Sequence, residues 1–105
     1  MKTHRIEIVA GGSIEPSTLG GVGAKEAVTI ANLSGTGVSI TYPDRGNPFS
    51  DVKDGTREDL ADGAATAHTI ASDFDPTRNY DLLVDLTNSE FLSSPKIRIT
   101  GGGSS

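Results

Sequence analysis

Residues 79–87, N-Y-D-L-L-V-D-L-T, alternate between two faces. Tyr80, Leu82, Val84 and Leu86 fall on one side. Asp81 and Asp85 fall on the other, with Leu83 between them. A period of two predicts a half-buried β-strand. The pattern recurs along the chain. Ile6, Ile8 and Ala10 form a first strand, broken by Gly11-Gly12, and Val28 and Ile30 share a face within residues 26–32. Val38, Ile40 and Tyr42 make a run ended by Pro43, and Ile97 and Ile99 oppose Lys96 and Arg98. Residues 64–72, A-A-T-A-H-T-I-A-S, carry alanines that suit a helix. Thr66, Thr69 and Ile70 are β-branched and turns flank the segment, so it reads as a strand. Ile14 and Leu19 flank Pro16 in a short irregular or edge strand, since proline cannot donate to a central ladder.

Turn signals separate these runs: Gly20, Gly21 and Gly23, then S-G-T-G at 34–37, then Pro76. Residues 43–63 lack clear periodicity and are punctuated by Pro43, Gly46, Pro48, Gly55 and Gly63, with Leu60 anchoring a short strand or turn. A stretch this long in a compact domain points to a partner site. Seven or eight short strands and no amphipathic helix predict an all-β, antiparallel Greek-key β-sandwich over residues 1–100. Residues 101–105, G-G-G-S-S, read as a flexible tail.

Composition narrows the picture. At 105 residues the chain suits one domain, and with 34% hydrophobic residues and no Trp its core must come mainly from Val, Ile, Leu and Ala. A net charge of −5 argues against nucleic acid and anionic membrane surfaces. No run approaches the roughly 18 apolar residues of a membrane span. The first residues hold no apolar stretch of signal-peptide length, so a cytoplasmic protein and an exported one with its signal removed both stay open. The absence of cysteine excludes disulfides and thiolate chemistry.

Several segments, in order, resemble the cupredoxins. G-S-I-E-P-S-T-L resembles the family's early segment, and V-T-I-A-N-L-S-G its next strand and Asn-containing turn. D-L-A-D-G-A-A-T resembles the approach to a later strand, Y-D-L-L-V the strand leading into the copper-ligand loop, and K-I-R-I-T the closing strand. The resemblance implies a copper site, with its cysteine at Val84 and a histidine near Thr87. It would put the axial methionine near Phe91 or Leu92, and the earlier histidine near Gly37 or Val38. None of those ligand types stands there, so copper electron transfer is not expected. An immunoglobulin-like sandwich without its disulfide accounts for the strands nearly as well.

The remaining polar patterns point to weaker chemistry. His4 and His68 lack partners at ligand or triad spacing and read as structural or solvent-facing. D-F-D-P-T-R-N-Y-D places Asp73, Asp75, Thr77, Asn79 and Asp81 at alternate positions, like the start of a calcium loop. Arg78 stands where that loop needs glycine and Val84 where it needs a closing glutamate. A second acidic set, Asp51, Asp54, Glu58, Asp59 and Asp62, is interrupted by Lys53 and Arg57 and reads as a solvated face. The expectation is therefore a non-enzymatic module with no cofactor, contacting a protein partner through Tyr42, Arg45, Asn47, Phe49 and Arg57. Phe49 has a competing role as a plug at the sandwich end. The alternatives are a calcium-binding module at Asp73, Asp75 and Asp81, or a small carboxylate-based hydrolase.

Overall fold

A computed structural model describes residues 3–86 and 95–101. The described residues form nine β-strands: β1 (Thr3–Val9), β2 (Ile14–Glu15), β3 (Thr18–Leu19), β4 (Ala27–Leu33), β5 (Val38–Thr41), β6 (Arg57–Leu60), β7 (Ala65–Thr69), β8 (Asn79–Leu86) and β9 (Lys96–Thr100). A three-residue 3-10 turn, Ala10–Gly12, follows β1. Two sheets result, ordered β2-β1-β4-β7 and β3-β9-β8-β5-β6. The sandwich is the one that the alternation predicts.

Two details differ from that expectation. The sheets are mixed rather than wholly antiparallel, because β1 pairs in parallel with β4 and β3 with β9. Between β1 and β4 the chain passes through one edge strand of each sheet, and β4 then runs alongside β1 in the same direction. The count is nine because residues 14–19 divide at Pro16: β2 joins the first sheet and β3 the second. The Glu15–Pro16 bond is cis. The other added strand, β6, is the one that Leu60 anchors.

Alternation fills the core as the sequence requires. Ile6 and Ile8 of β1 and Val28 and Ile30 of β4 face Val38, Ile40, Leu82, Val84, Ile97 and Ile99 of the second sheet, all fully buried. Burial of such side chains stabilises by about 1.5–3 kcal/mol each. Tyr80 is also buried, stacked on Phe74 with ring centroids 4.9 Å apart, while Leu83 on the opposite face is exposed.

Among the described residues two polar ones, Asn32 and Ser39, are fully buried. Asn32, at the end of β4, donates from Nδ2 to the carbonyls of Thr36 (2.7 Å) and Leu60 (2.9 Å). Its Oδ1 accepts from the Ser34 N–H and hydroxyl. Asn32 thus closes the 34–37 turn and ties β4 to β6. Thr87, Phe91, Leu92 and residues 102–105 of the tail lie outside the described residues.

Candidate functional site

Segment 43–56 is pinned at its base before it enters β6. The Tyr42 N–H donates to the Thr56 carbonyl (2.8 Å) and the Gly55 N–H to the Pro43 carbonyl (2.9 Å). Phe49 forms an isolated bridge with Ile70, and the Ser50 N–H donates to the Thr69 carbonyl (2.9 Å), so the segment lies along the end of β7. Asn47 organises the turn: its Oδ1 accepts from the Phe49 N–H (3.0 Å) and its Nδ2 donates to the Val52 carbonyl.

The register of the two sheets then aims a set of polar groups into the seam between them. On β6, Glu58 shares the inward face with Leu60. On β7, Thr66 and His68 point the same way as Ile70. His68 sits between two carboxylates, with Nδ1 3.0 Å from Asp51 Oδ2 and Nε2 3.1 Å from Glu58 Oε1. Tyr42 donates its hydroxyl to Glu58 Oε1 (2.8 Å), and Thr66 donates to Glu58 Oε2 (2.9 Å). The Thr69 N–H reaches Asp51 Oδ1 (3.0 Å). Phe49 backs the group, its ring centroid 5.3 Å from that of His68 and 5.9 Å from that of Tyr42.

Beside this network lies an open cleft of about 510 Å³, lined by Tyr42, Asp51, Lys53, Arg57, Glu58 and His68 among others. Its electrostatics follow from the contacts. Partial burial alone would raise the Asp51 carboxyl, but the hydrogen bonds from His68 and the Thr69 N–H outweigh it and hold Asp51 below the usual carboxylate range. Glu58 behaves likewise: burial works to raise it, while His68, Tyr42 and Thr66 together bring it down. The Tyr42 hydroxyl is pushed up, first by burial and then by its bond to Glu58, so it remains a donor.

Thr66 Oγ1, His68 and Asp51 lie in a line that has the order of a nucleophile, base and orienting acid, with Oγ1 3.1 Å from Nε2. Thr66, however, directs its proton to Glu58 Oε2. The network holds charges in place across the seam and leaves its hydroxyl engaged.

A pH dependence follows. Both carboxylates titrate lower in the folded chain than unfolded, so the stability they contribute is present above the unfolded range, about pH 4, and is lost as pH falls through the folded values. The melting temperature of the wild type should therefore fall more steeply between about pH 5 and pH 3 than that of Asp51→Asn, whose side chain has no charge to titrate. Equal slopes in thermal melts across that interval would show that Asp51 is not so held.

The residues picked out from sequence separate into two groups. Arg45 is exposed on the 43–56 segment, and Arg57 lines the cleft with a side chain 64% exposed. Tyr42 and Phe49 are 1% and 3% exposed, so neither ring offers a face to a partner, and the plug role fits Phe49. Asn47 spends its side chain on the turn. The structure adds Asp51, Glu58, Thr66 and His68 as one network, which spacing in the sequence does not reveal. A signal was present: alternation in A-T-A-H-T-I puts His68 on the face of Ile70, and an inward histidine requires polar partners.

The candidate calcium residues are engaged separately. Asp75 Oδ1 accepts from the Thr77 N–H and hydroxyl, which caps a turn, and Asp81 is paired with Arg98 at 3.0 and 3.3 Å. Among the described residues no three His, Cys, Asp or Glu side chains are grouped to hold a metal ion. The structure does not bring Asp73, Asp75 and Asp81 together as a site.

The fold defined by these two sheets is cupredoxin-like. No protein-family model matches the chain, and no curated protein sequence does. Solved structures do. A mutant amicyanin in its Cu(I) form superposes with a TM-score of 0.60 at 13% identity, over 92% of this chain and 81% of that one. A purple cupredoxin from Nitrosopumilus maritimus gives 0.58 at 15% identity, over 92% and 99%. Fet3p, a multicopper oxidase that functions in iron import, gives 0.55 at 9% identity, over 84% of this chain and 20% of that one.

Copper of that kind does not fit the residues present. The chain has no cysteine, and Val84 is a fully buried core residue paired with Ile40. Val38 is likewise core. The shallow cleft beside it, about 330 Å³, is lined by Gly37, Val38, Asp59, Leu60 and Ala61, a set with one carboxylate and no imidazole.

Proposed function

We propose that this chain is a cupredoxin-like interaction module that binds a protein partner through the face built on residues 43–63, with neither copper electron transfer nor a catalytic step. The observation that carries the proposal is the open cleft at the β6–β7 seam. Its floor is fixed by the Tyr42–Glu58–His68–Asp51 network, and its rim presents Arg57 and Lys53 to solvent. A rigid floor supports recognition because little ordering is left to be done on binding. Exposed arginines with a forked, always charged head are the side chains best suited to a partner's carboxylates. Arg45 is likewise exposed on the 43–56 segment.

The double variant Arg45→Ala/Arg57→Ala tests the proposal. Compared with the wild type in affinity capture, it should retain at least about tenfold less of the specific partner. Its melting temperature should stay within about 3 °C of the wild type, the shift of a surface change near 0.5 kcal/mol. Undiminished capture would remove the 43–63 face as the binding site.

A further inference from the structure

We infer that β7 is a self-association edge, at which two copies of the chain pair their β7 strands antiparallel about a twofold axis at Thr66. The four sheet edges are β2, β7, β3 and β6. Three are blunted in the ways that sheet proteins use against edge pairing. β2 and β3 are two residues long and separated by Pro16, and β6 carries Arg57, Glu58 and Asp59 in succession. β7 has no such guard. Its sequence is A-T-A-H-T, with Ala65, Ala67 and Thr69 exposed.

The register shows which backbone groups are open. The Asn32 N–H donates to the Ala64 carbonyl (2.9 Å) and the Ile70 N–H to the Glu26 carbonyl (2.8 Å). With Ile30 opposite Thr66 and Val28 opposite His68, the even-numbered residues of β7 are those bonded to β4. The N–H and C=O groups of 65, 67 and 69 point outward. Those of Thr69 are covered, the N–H by Asp51 Oδ1 and the carbonyl by the Ser50 N–H. Ala65 and Ala67 have no such cover among the described residues, and their small side chains leave the backbone accessible.

A second copy fits this short opening better than a longer strand does. Pairing Ala65 with Ala67 of the second copy, and Ala67 with its Ala65, makes four main-chain hydrogen bonds. Thr69 then lies opposite Gly63 of the second copy. There the chain has already turned away, with φ 82° and its N–H bonded back to the Asn32 carbonyl at 2.8 Å. The segment that covers Thr69 meets a turn, whereas a longer strand would run into Ser50 and Asp51. Thr66 meets its own counterpart at a close, non-hydrogen-bonded position, a favourable cross-strand pair. Each copy carries a net charge of −5, so the contact is weak at low ionic strength and strengthens as salt screens the repulsion.

Sedimentation velocity over a concentration series at low and high salt tests the inference. The wild type should pass from monomer to dimer with rising concentration, more readily in high salt. Ala67→Pro removes an outward N–H without touching a bond to β4, and Ala67→Lys guards the edge while leaving the backbone intact. Each should weaken dimerisation at least about tenfold. If Ala67→Pro loses the native circular dichroism, Ala67→Lys decides. A wild type that stays monomeric up to about 1 mM at both salt concentrations, or an Ala67→Lys variant that dimerises as readily, would overturn the inference.

Discussion

Asn32→Ala is expected to lower folding stability by about 3 kcal/mol. Asn32 is fully buried and makes four side-chain hydrogen bonds. A net contribution of about 1 kcal/mol per bond would already be large. The alanine variant loses all four at once, releasing the 34–37 turn from Leu60 and β6. Asn32→Asp should be worse, since it keeps the contacts from Ser34 but turns two donated bonds into oxygen–oxygen repulsions. Denaturant unfolding reads both. An alanine variant within about 1 kcal/mol of the wild type would show that Asn32 does not organise the turn.

Phe49→Ala is expected to cost about 3–5 kcal/mol, the range for removing a buried aromatic ring. Phe49 closes one end of the sandwich: its ring is 3% exposed and lies edge-on to Tyr42 and tilted against His68. Its backbone also forms the bridge to Ile70, so a cavity here loosens the floor of the cleft as well as the core. Phe49→Leu keeps much of the volume and should cost about 1–1.5 kcal/mol. Equilibrium unfolding of the two variants separates the plug role from a contact role. A contact residue would lose partner binding with stability unchanged, and Phe49 should do the reverse.

The sandwich was legible because its strands alternate so regularly. Ile6 and Ile8, Val28 and Ile30, Leu82 and Val84, and Ile97 and Ile99 each sit on the buried face that a period of two assigns. Sheet membership was not legible. Nothing in I-E-P-S-T-L states that Ile14 pairs with Ile8 in one sheet while Leu19 pairs with Ile99 in the other. The parallel pairings follow from that crossing and were hidden with it. At the site, Arg45 and Arg57 could be chosen by residue type, because exposure is the default for arginine. Tyr42 and Phe49 could not be placed that way, since an aromatic residue beside a loop serves core and contact equally well. The Asp51–His68–Glu58 network joins positions 10 and 17 residues apart across two sheets, and only the three-dimensional pairing brings them within 3.0–3.1 Å.

The chain is a cupredoxin-like scaffold in which two of the positions that the resemblance assigns to copper ligands, Val38 and Val84, belong to the buried core. Copper titration tests this most directly, with the visible spectrum and the melting temperature followed as Cu(II) and then Cu(I) are added. A metal that prefers the folded chain raises its melting temperature. With no thiolate in the chain and Val84 and Val38 in the core, neither ion should produce an intense ligand-to-metal band or a stoichiometric rise in melting temperature. A saturable band or a rise that ends at one equivalent would contradict the account.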